Sequence, residues 1–295
     1  MAVMFNEVAI VGPGLIGASM GLALRAQGLA KRIVGIGRRQ TSLDKALSVG
    51  AIDEATLDAT GGVRSADLVV LATPIRTLEP IMAAIAEALK AQALVTDVAS
   101  TKACVVETLS SALRGRPDVS YIPTHPMAGG EKSGPEAARA DLFEGAVCIV
   151  TPLTNTLPES KGIVTRMWQA MGANVVSMTP QAHDRAVARV SHLPHLAAAA
   201  LMTELEPDEV ALCGRGLLDT TRIASGNPDI WIDICRSNRE HVREAVLRHI
   251  AVLQKIADGL NDGELARLRG LLVDAKQRRD DLVERRSAPD DPNDQ

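Results

Sequence analysis

Hydrophobic residues in the first 180 positions fall into short apolar runs separated by longer amphipathic stretches. The runs lie at residues 7–11, 32–36, 67–72, 94–96 and 121–124. Their length and their content of Val and Ile are typical of buried strands. Between them, apolar residues recur three or four apart, as at residues 75–89 and 102–113, which predicts helices. Strands that alternate with helices in this way predict a parallel sheet covered on both faces.

Two further apolar runs, at 147–150 and 174–178, flank a helical stretch and could extend the same sheet. The pattern changes after residue 179. Residues 181–282 show helical patterns only, such as a stripe that runs from Val242 to Leu253. We expect a sheet domain at residues 1–179, an all-α domain at 180–284 and a frayed tail at 285–295.

Composition narrows the classes of partner. The chain has 295 residues, longer than a typical domain of about 100 to 200, so two domains are expected. The net charge of −4 leaves no basic excess for a phosphate backbone, which argues against nucleic acid. The longest apolar run, at 196–202, is too short to span a bilayer, and the N-terminus lacks a signal pattern. The sequence therefore predicts a cytoplasmic protein without a membrane partner.

The cysteines and histidines predict neither disulfides nor a metal site. Cys104, Cys148, Cys213 and Cys235 are widely separated and form no CxxC pair. No two histidines have the spacing of a zinc-binding HExxH motif. We interpret the cysteines as buried thiols.

A glycine-rich turn, GPGLIG at residues 12–17, lies between the first predicted strand and a predicted helix. Gly12 permits the tight turn, Gly14 lets a pyrophosphate approach the backbone, and Gly17 lets the helix pack closely on the strand. The free amides of Leu15 and Ile16 at the helix start attract the anion. The turn predicts an N-terminal Rossmann-like doubly wound sheet that binds a dinucleotide. A glycine-rich turn without a ligand is the alternative.

The end of the second predicted strand indicates which dinucleotide is bound. An acidic residue that binds the ribose of NAD is expected there, but the chain has Arg38 and Arg39, with no carboxylate before Asp44. Two guanidinium groups suit a 2′-phosphate, so NADP is favoured and NAD remains possible. Alternatively, both arginines are solvated or stack on the adenine. Thr73 and Pro74 follow the third strand and also lie where ligands bind in such sheets.

The fifth predicted strand is followed by THPMAGGEKSG at residues 124–134, which places His125 on a loop at this edge. Together with DVASTK at 97–102, SHLPH at 191–195, TRIA at 221–224 and Trp231, this segment resembles the prephenate/arogenate dehydrogenase family of tyrosine biosynthesis. The resemblance spans roughly residues 7 to 240 and keeps the family's order.

The resemblance implies an enzyme that oxidises and decarboxylates a cyclohexadienyl dicarboxylate, with hydride transfer to NAD(P). His125 matches the catalytic base for the ring hydroxyl, and Ser100 matches a serine near that hydroxyl. The substrate-binding matches are Arg222, which holds a carboxylate, together with His195, Glu131 and Trp231. Asp219 matches a further acidic residue at the mouth of the pocket. The chemistry agrees with these residue types, because imidazole is the usual base for a hydroxyl near neutral pH.

Alternative interpretations remain for these residues. Arg222 could pair with Asp219, and His195 could be a core histidine. His183, His241 and His249 are interpreted as surface or packing residues. A 3-hydroxyacid-type dehydrogenase is a rival, disfavoured because no lysine occurs between Lys161 and Lys255. A non-catalytic dinucleotide-binding regulator is the other rival.

The resemblance also implies a homodimer formed through the helical domain. For the substrate, prephenate is slightly favoured over arogenate, because no extra carboxylate lies near SHLPH to pair with an ammonium group.

Overall fold

The computed structural model of the protein describes residues 2–130, 132–261 and 263–287. They form two compact units, of which the first extends to Val242 and the second begins at Arg243. Within the described ranges, no helix combines the length and the apolar character that crossing a bilayer requires.

The first unit contains a six-stranded parallel sheet. Its strands are β1 (Phe5–Val11), β2 (Ala30–Ile36), β3 (Glu54–Thr56), β4 (Leu68–Leu71), β5 (Leu94–Asp97) and β6 (Ser120–Tyr121). The helices between them are α1 (Leu15–Ala26), α2 (Gln40–Ser48), α3 (Ala59–Val63), α4 (Ile75–Ile85) and α5 (Ala103–Ala112). The strand order is β3-β2-β1-β4-β5-β6. This confirms the predicted Rossmann-like fold, and the order reverses between β1 and β4, where such sheets bind ligands.

Alternate residues of β1 pack on opposite faces of the sheet. Val8 and Ile10 belong to a buried cluster that includes Met20 of α1, whereas Ala9 and Val11 belong to a second cluster. Side chains of a strand point alternately to its two faces, so a continuous apolar run is what a strand with helices on both sides requires. This arrangement fixes β1, and with it the position of the glycine turn that follows.

A second sheet of three strands differs from the prediction. β7 (Thr124–Pro126) pairs antiparallel with β8 (Val147–Val150), which pairs parallel with β9 (Asn174–Ser177). Helix α6 (Pro158–Ala170) connects β8 to β9. The expectations that residues 147–150 and 174–178 extend the main sheet and that residues 121–124 form one strand are wrong. Pro123 separates β6 from β7, because proline has no N–H to continue a strand ladder.

The structure contains two elements, β3 and α3, that the sequence pattern did not reveal. Both are short and only partly buried.

The expectation that all four cysteines are buried thiols is corrected. Cys104 is exposed and not a buried thiol, whereas Cys148 is buried and Cys213 and Cys235 are half-buried. All four are free cysteines.

The described elements after Ser177 are all helical. They are α7 (Pro180–Val187), a π-helical turn (Ala188–His192), α8 (Leu193–Thr203), α9 (Arg215–Thr221), α10 (Pro228–Ser237), α11 (Arg239–Asp258) and α12 (Leu265–Ser287), with short 3-10 turns at Val210–Leu212 and Arg222–Ser225. This confirms the predicted helical C-terminal region. Helix α12 continues three residues into the predicted tail, and residues 288–295 lie outside the described residues.

Candidate active site

The glycine turn lies at the carboxyl end of β1, as its sequence predicts. Gly12 has a φ of 87°, and a Cβ there would lie 2.5 Å from Cγ2 of Thr73, so only glycine fits. A Cβ on Gly17 would lie 2.6 Å from the carbonyl oxygen of Gly12. A Cβ on Gly14 would meet nothing within 4 Å. Packing therefore explains Gly12 and Gly17, whereas Gly14 faces open space.

The polar groups around the turn fit a phosphate. The N-cap of α1, Gly14, makes no side-chain hydrogen bond, and no acidic residue lies in the first turn. The first helical bond joins the N–H of Ala18 to the carbonyl of Gly14, which leaves the amides of Leu15, Ile16 and Gly17 for a ligand. The hydroxyl of Thr73 is buried and has no hydrogen-bond partner among the described residues.

Arg38 and Arg39 are both exposed, directly after β2. Arg39 is the N-cap residue of α2, and Asp44, the nearest following carboxylate, accepts a hydrogen bond from Gln40. Pro74 is exposed at the start of α4 beside Thr73. These residues lie at the edge of the sheet where the glycine turn also lies.

The segment after β7 packs over this turn. A Cβ on Gly130 would lie 3.7 Å from Cδ2 of Leu15, and the N–H of Arg139 donates to Oγ of Ser19 at 3.1 Å. Nζ of Lys45 on α2 lies 2.6 Å from a carboxylate oxygen of Glu136. The chain that begins at His125 is thereby brought to the predicted dinucleotide site.

His125 is buried in the middle of β7, opposite Ile149, so the prediction that it lies on a loop is wrong. Its Nδ1 lies 2.8 Å from Nε2 of His183. Burial is the largest cause that lowers the pKa of His125 well below the usual histidine value, and the buried ammonium of Lys102 lowers it further. The imidazole is therefore neutral at neutral pH, as a proton acceptor must be.

A fully buried ion pair at the end of β5 is linked to the start of β7. Nζ of Lys102 lies 2.6 Å from Oδ1 of Asp97, and the hydroxyl of Tyr121 donates to Oδ2 of the same carboxylate at 2.7 Å. Thr124, the residue before His125, donates to the backbone carbonyl of Asp97 at 2.6 Å. Ser100 is half-buried and lies between Asp97 and Lys102 along the chain. These bonds hold the segment that contains Ser100 against the start of β7.

The predicted substrate residues form a second group. His195 stacks on Trp231, and an interaction with the backbone of Ile223 favours its protonated form. Ile223 follows Arg222, an exposed residue at the end of α9. Burial lowers the pKa of His195. The structure therefore brings His195 and Trp231 to the turn that contains Arg222, whereas Glu131 lies outside the described residues.

Asn238 connects the residues around His125 and His183 to the group that contains His195 and Trp231. Its Nδ2 donates to the backbone carbonyl of Asp184 at 2.8 Å and lies 3.4 Å from Nδ1 of His192. The ring of His192 packs edge-on against Trp231, with centroids 6.1 Å apart. Burial lowers the pKa of His192 to about 4. His125 and the His195–Trp231 pair therefore belong to one continuous network within the first unit.

His183 is the residue that the sequence interpretation missed. It was assigned to the surface or to packing, but it is fully buried and bonded to His125. The two residues are 58 positions apart, so no local spacing relates them. The one local signal is the Asp184 carboxylate beside it, which could orient a histidine. Within the described part of the chain, no cluster of three or more potential ligands could hold a metal ion.

The fold and this network define a dinucleotide-binding Rossmann-type protein with a helical C-terminal region and a buried, neutral histidine as candidate base. Two family models match the chain: "Prephenate dehydrogenase, nucleotide-binding domain" over residues 20–177 and "Prephenate dehydrogenase, dimerization domain" over residues 179–274. The chain therefore belongs to the prephenate dehydrogenase family.

Individual relatives agree with this assignment. A prephenate dehydrogenase of Bacillus subtilis is 32% identical over 95% of this chain and 76% of its own length. The crystal structure of prephenate dehydrogenase from Aquifex aeolicus, in complex with hydroxyphenyl propionate and NAD+, has a TM-score of 0.87 and 32% identity, covering 96% of this chain and 100% of that one. Synechocystis arogenate dehydrogenase has a TM-score of 0.78 and 30% identity, covering 94% of this chain and 99% of that one. The protein is thus an oxidoreductase of the prephenate/arogenate type, and the two rival functions are not favoured.

Proposed function

We propose that this protein oxidises and decarboxylates prephenate, with NADP as the preferred hydride acceptor and His125 as the base. The observation that carries the proposal is the burial of a neutral His125 in one network with His195 and Trp231. A bound nicotinamide would supply the acceptor for the hydride on the ring carbon that bears the hydroxyl. Loss of the ring carboxylate as CO2 then leaves an aromatic phenol, which makes the reaction strongly downhill.

The residues of this chain position the substrate and move one proton. His125 accepts the proton of the ring hydroxyl, and Ser100 provides a hydroxyl near the same group. Arg222 holds a substrate carboxylate, with His195 and Trp231 shaping the site next to it. Glu131 is proposed as a further substrate contact. Because aromatisation drives the reaction, the main requirement is orientation of the dicarboxylate.

The dinucleotide is proposed to bind through the glycine turn. The amides of Leu15 and Ile16 would hold the pyrophosphate, with Gly12, Gly14 and Gly17 allowing its approach, and Thr73 and Pro74 would line the adjacent edge. Exposed Arg38 and Arg39 would bind a 2′-phosphate, which supports NADP over NAD.

The test of activity is reduction of the dinucleotide, followed by absorbance, with prephenate, arogenate and a panel of 3-hydroxyacids. We expect the highest kcat/KM with prephenate and NADP. Turnover of 3-hydroxyacids alone would refute the proposed function, and a preference for arogenate would refute the substrate assignment.

Cofactor preference is tested separately with the double variant Arg38→Ala/Arg39→Ala. Each charge-assisted hydrogen bond contributes about 1.5–3 kcal/mol, so kcat/KM with NADP should fall at least about tenfold. The value with NAD should change little. Arg64→Ala is the matched control. Arg64 is also exposed, but it precedes β4 and so lies at the amino ends of the strands, away from the carboxyl ends where the dinucleotide is proposed to bind. An equal loss with both dinucleotides would contradict the assignment.

We further propose a homodimer formed through the helical region, residues 180–284, distinct from the dinucleotide-binding region, residues 1–179. Support comes from the family description of residues 179–274 and from the apolar side chains of Leu247, Ile250 and Leu253 on α11, each about half exposed. Light scattering should give twice the monomer mass, and a monomeric mass would refute the dimer. The cytoplasmic location stays a prediction.

A further inference from the structure

A chain of three buried polar side chains ends at His125. Nδ1 of His125 lies 2.8 Å from Nε2 of His183, and Nδ1 of His183 lies 2.7 Å from Oδ1 of Asp184. The exposed fractions of these residues are 6%, 0% and 1% in that order. Water therefore does not compete for the two inner hydrogen bonds, and each bond must have one donor and one acceptor.

Asp184 determines which group donates and which accepts in each hydrogen bond of this chain of side chains. Its Oδ1 accepts the backbone N–H of Lys102 at 2.8 Å, and its Oδ2 accepts that of Ala103 at 2.9 Å. Burial by itself raises the pKa of Asp184, but the hydrogen bonds from His183 and from the two amides outweigh burial, and the net shift is downward. An ionised carboxylate only accepts hydrogen bonds. Nδ1 of His183 must therefore bear a hydrogen.

The charges that surround His183 favour its neutral form. Burial is the largest cause that lowers its pKa, and the Lys102 ammonium acts in the same direction, whereas Asp184 and Asp97 raise it. The net shift is downward. A neutral ring with its hydrogen on Nδ1 has a lone pair on Nε2. His183 therefore accepts from His125, so Nδ1 of His125 is the donor and Nε2 of His125 has the lone pair.

We propose that His183 and Asp184 are positioning residues that hold His125 in the tautomer whose Nε2 takes the proton of the substrate hydroxyl. This inference rests on the proposed function, because it assigns His125 as the base. In that step the O–H bond breaks and an Nε2–H bond forms, while the O–H electron pair becomes the second bond of a carbonyl. The hydride leaves the same carbon for the oxidised dinucleotide. The positive charge gained by His125 is stabilised through His183 by the Asp184 carboxylate.

The tautomer is measured directly by nitrogen NMR of protein labelled with ¹⁵N-histidine, without added ligand. The signals of His125 are assigned by their loss in His125→Asn. We expect a hydrogen on Nδ1 and none on Nε2 in the unmodified protein. In His183→Leu, which removes the acceptor, we expect the Nε2–H form to be populated. An unmodified protein with the hydrogen on Nε2 of His125 would overturn the proposal.

Kinetics give the second readout. His183→Leu should lower kcat about 100-fold with little change in KM, because His125 is no longer held in the tautomer that can act as the base while substrate binding is retained. His183→Gln, whose side-chain carbonyl can accept from Nδ1 of His125, should restore much of that loss. His249→Gln, a half-buried histidine on α11, is the matched control and should behave like the unmodified protein.

Each outcome tests either the positioning role of His183 and Asp184 or the assignment of His125 as the base. If folded His183→Leu keeps the unmodified kcat, the positioning role is wrong even when His125→Asn is inactive. If His125→Asn retains turnover, the assignment of the base fails, and the tautomer measurement still tests the hydrogen-bonded chain. If His183→Leu does not fold, the tautomer of the unmodified protein and the kcat of His183→Gln and Asp184→Asn decide. Asp184→Asn should lower kcat, because an amide can donate to His183 and reverse the polarity.

Discussion

The imidazole of His195 stacks on the indole of Trp231, with ring centroids 3.4 Å apart and planes inclined by 11°. Gly226 lies against this pair, since a Cβ there would be 2.6 Å from Nε1 of Trp231 and 3.0 Å from Cε1 of His195. His195 also interacts with the backbone of Ile223. The stacked pair therefore holds the 3-10 turn that begins at Arg222.

Trp231→Leu should impair substrate binding more than chemistry. An aromatic pair contributes about 0.5–1.5 kcal/mol beyond its buried area, so we expect KM for the substrate to rise up to about tenfold with a smaller change in kcat. Trp231→Phe, which keeps a ring, is the control and should change KM less. Steady-state kinetics with prephenate measures both constants. A fall in kcat alone would contradict the role of Trp231 in holding the substrate-binding turn.

Substitutions at the two helix-start glycines should separate folding from cofactor binding. Gly17→Ala places a methyl group 2.6 Å from the Gly12 carbonyl oxygen, so it should lower the free energy of unfolding by about 1–3 kcal/mol. Gly14→Ala has open space and should leave stability little changed while weakening dinucleotide binding. Denaturant unfolding and a binding titration with NADP measure the two effects. Full NADP affinity in Gly14→Ala would contradict the assignment of the phosphate site.

His125 and Arg222 should give opposite kinetic patterns. We expect His125→Asn to lose kcat by about 100-fold or more while the substrate still binds, because only proton transfer is removed. We expect Arg222→Gln mainly to raise KM, since an interaction with a carboxylate is present before the reaction begins. Kinetics and equilibrium binding of prephenate distinguish them, and the reverse pattern would show that the two roles are exchanged.

The pH dependence of kcat/KM should have its acid limb below the ordinary histidine range. Burial lowers the pKa of His125 well below 6.5, so the neutral base persists as the pH falls through that value and is lost only at the lower, folded-state pKa. Activity should therefore stay nearly constant from pH 7.5 to about pH 6.5. An acid limb centred at or above the usual histidine pKa would contradict a buried neutral base.

Much of the fold was predictable because strand and helix periodicities are local properties. The apolar runs at β1, β2, β4 and β5 located the sheet, and the glycine turn located its ligand-binding edge. The second sheet was not predictable in the same way, because the partner of β7 is set by packing and not by its own three residues. Pro123 was the one local sign that the fifth run divides.

The sequence by itself determined the family, the alternation of strands and helices followed by a helical region, and the residue types able to move a proton and hold a carboxylate. Only the tertiary structure decided which side chains meet. His183 and Asp184 reach His125 from α7, more than fifty residues away along the chain, and no pattern in one segment encodes that contact. The physical reason is that periodicity reports which face of an element is buried, whereas the hydrogen bonds of a buried polar group depend on every element packed around it.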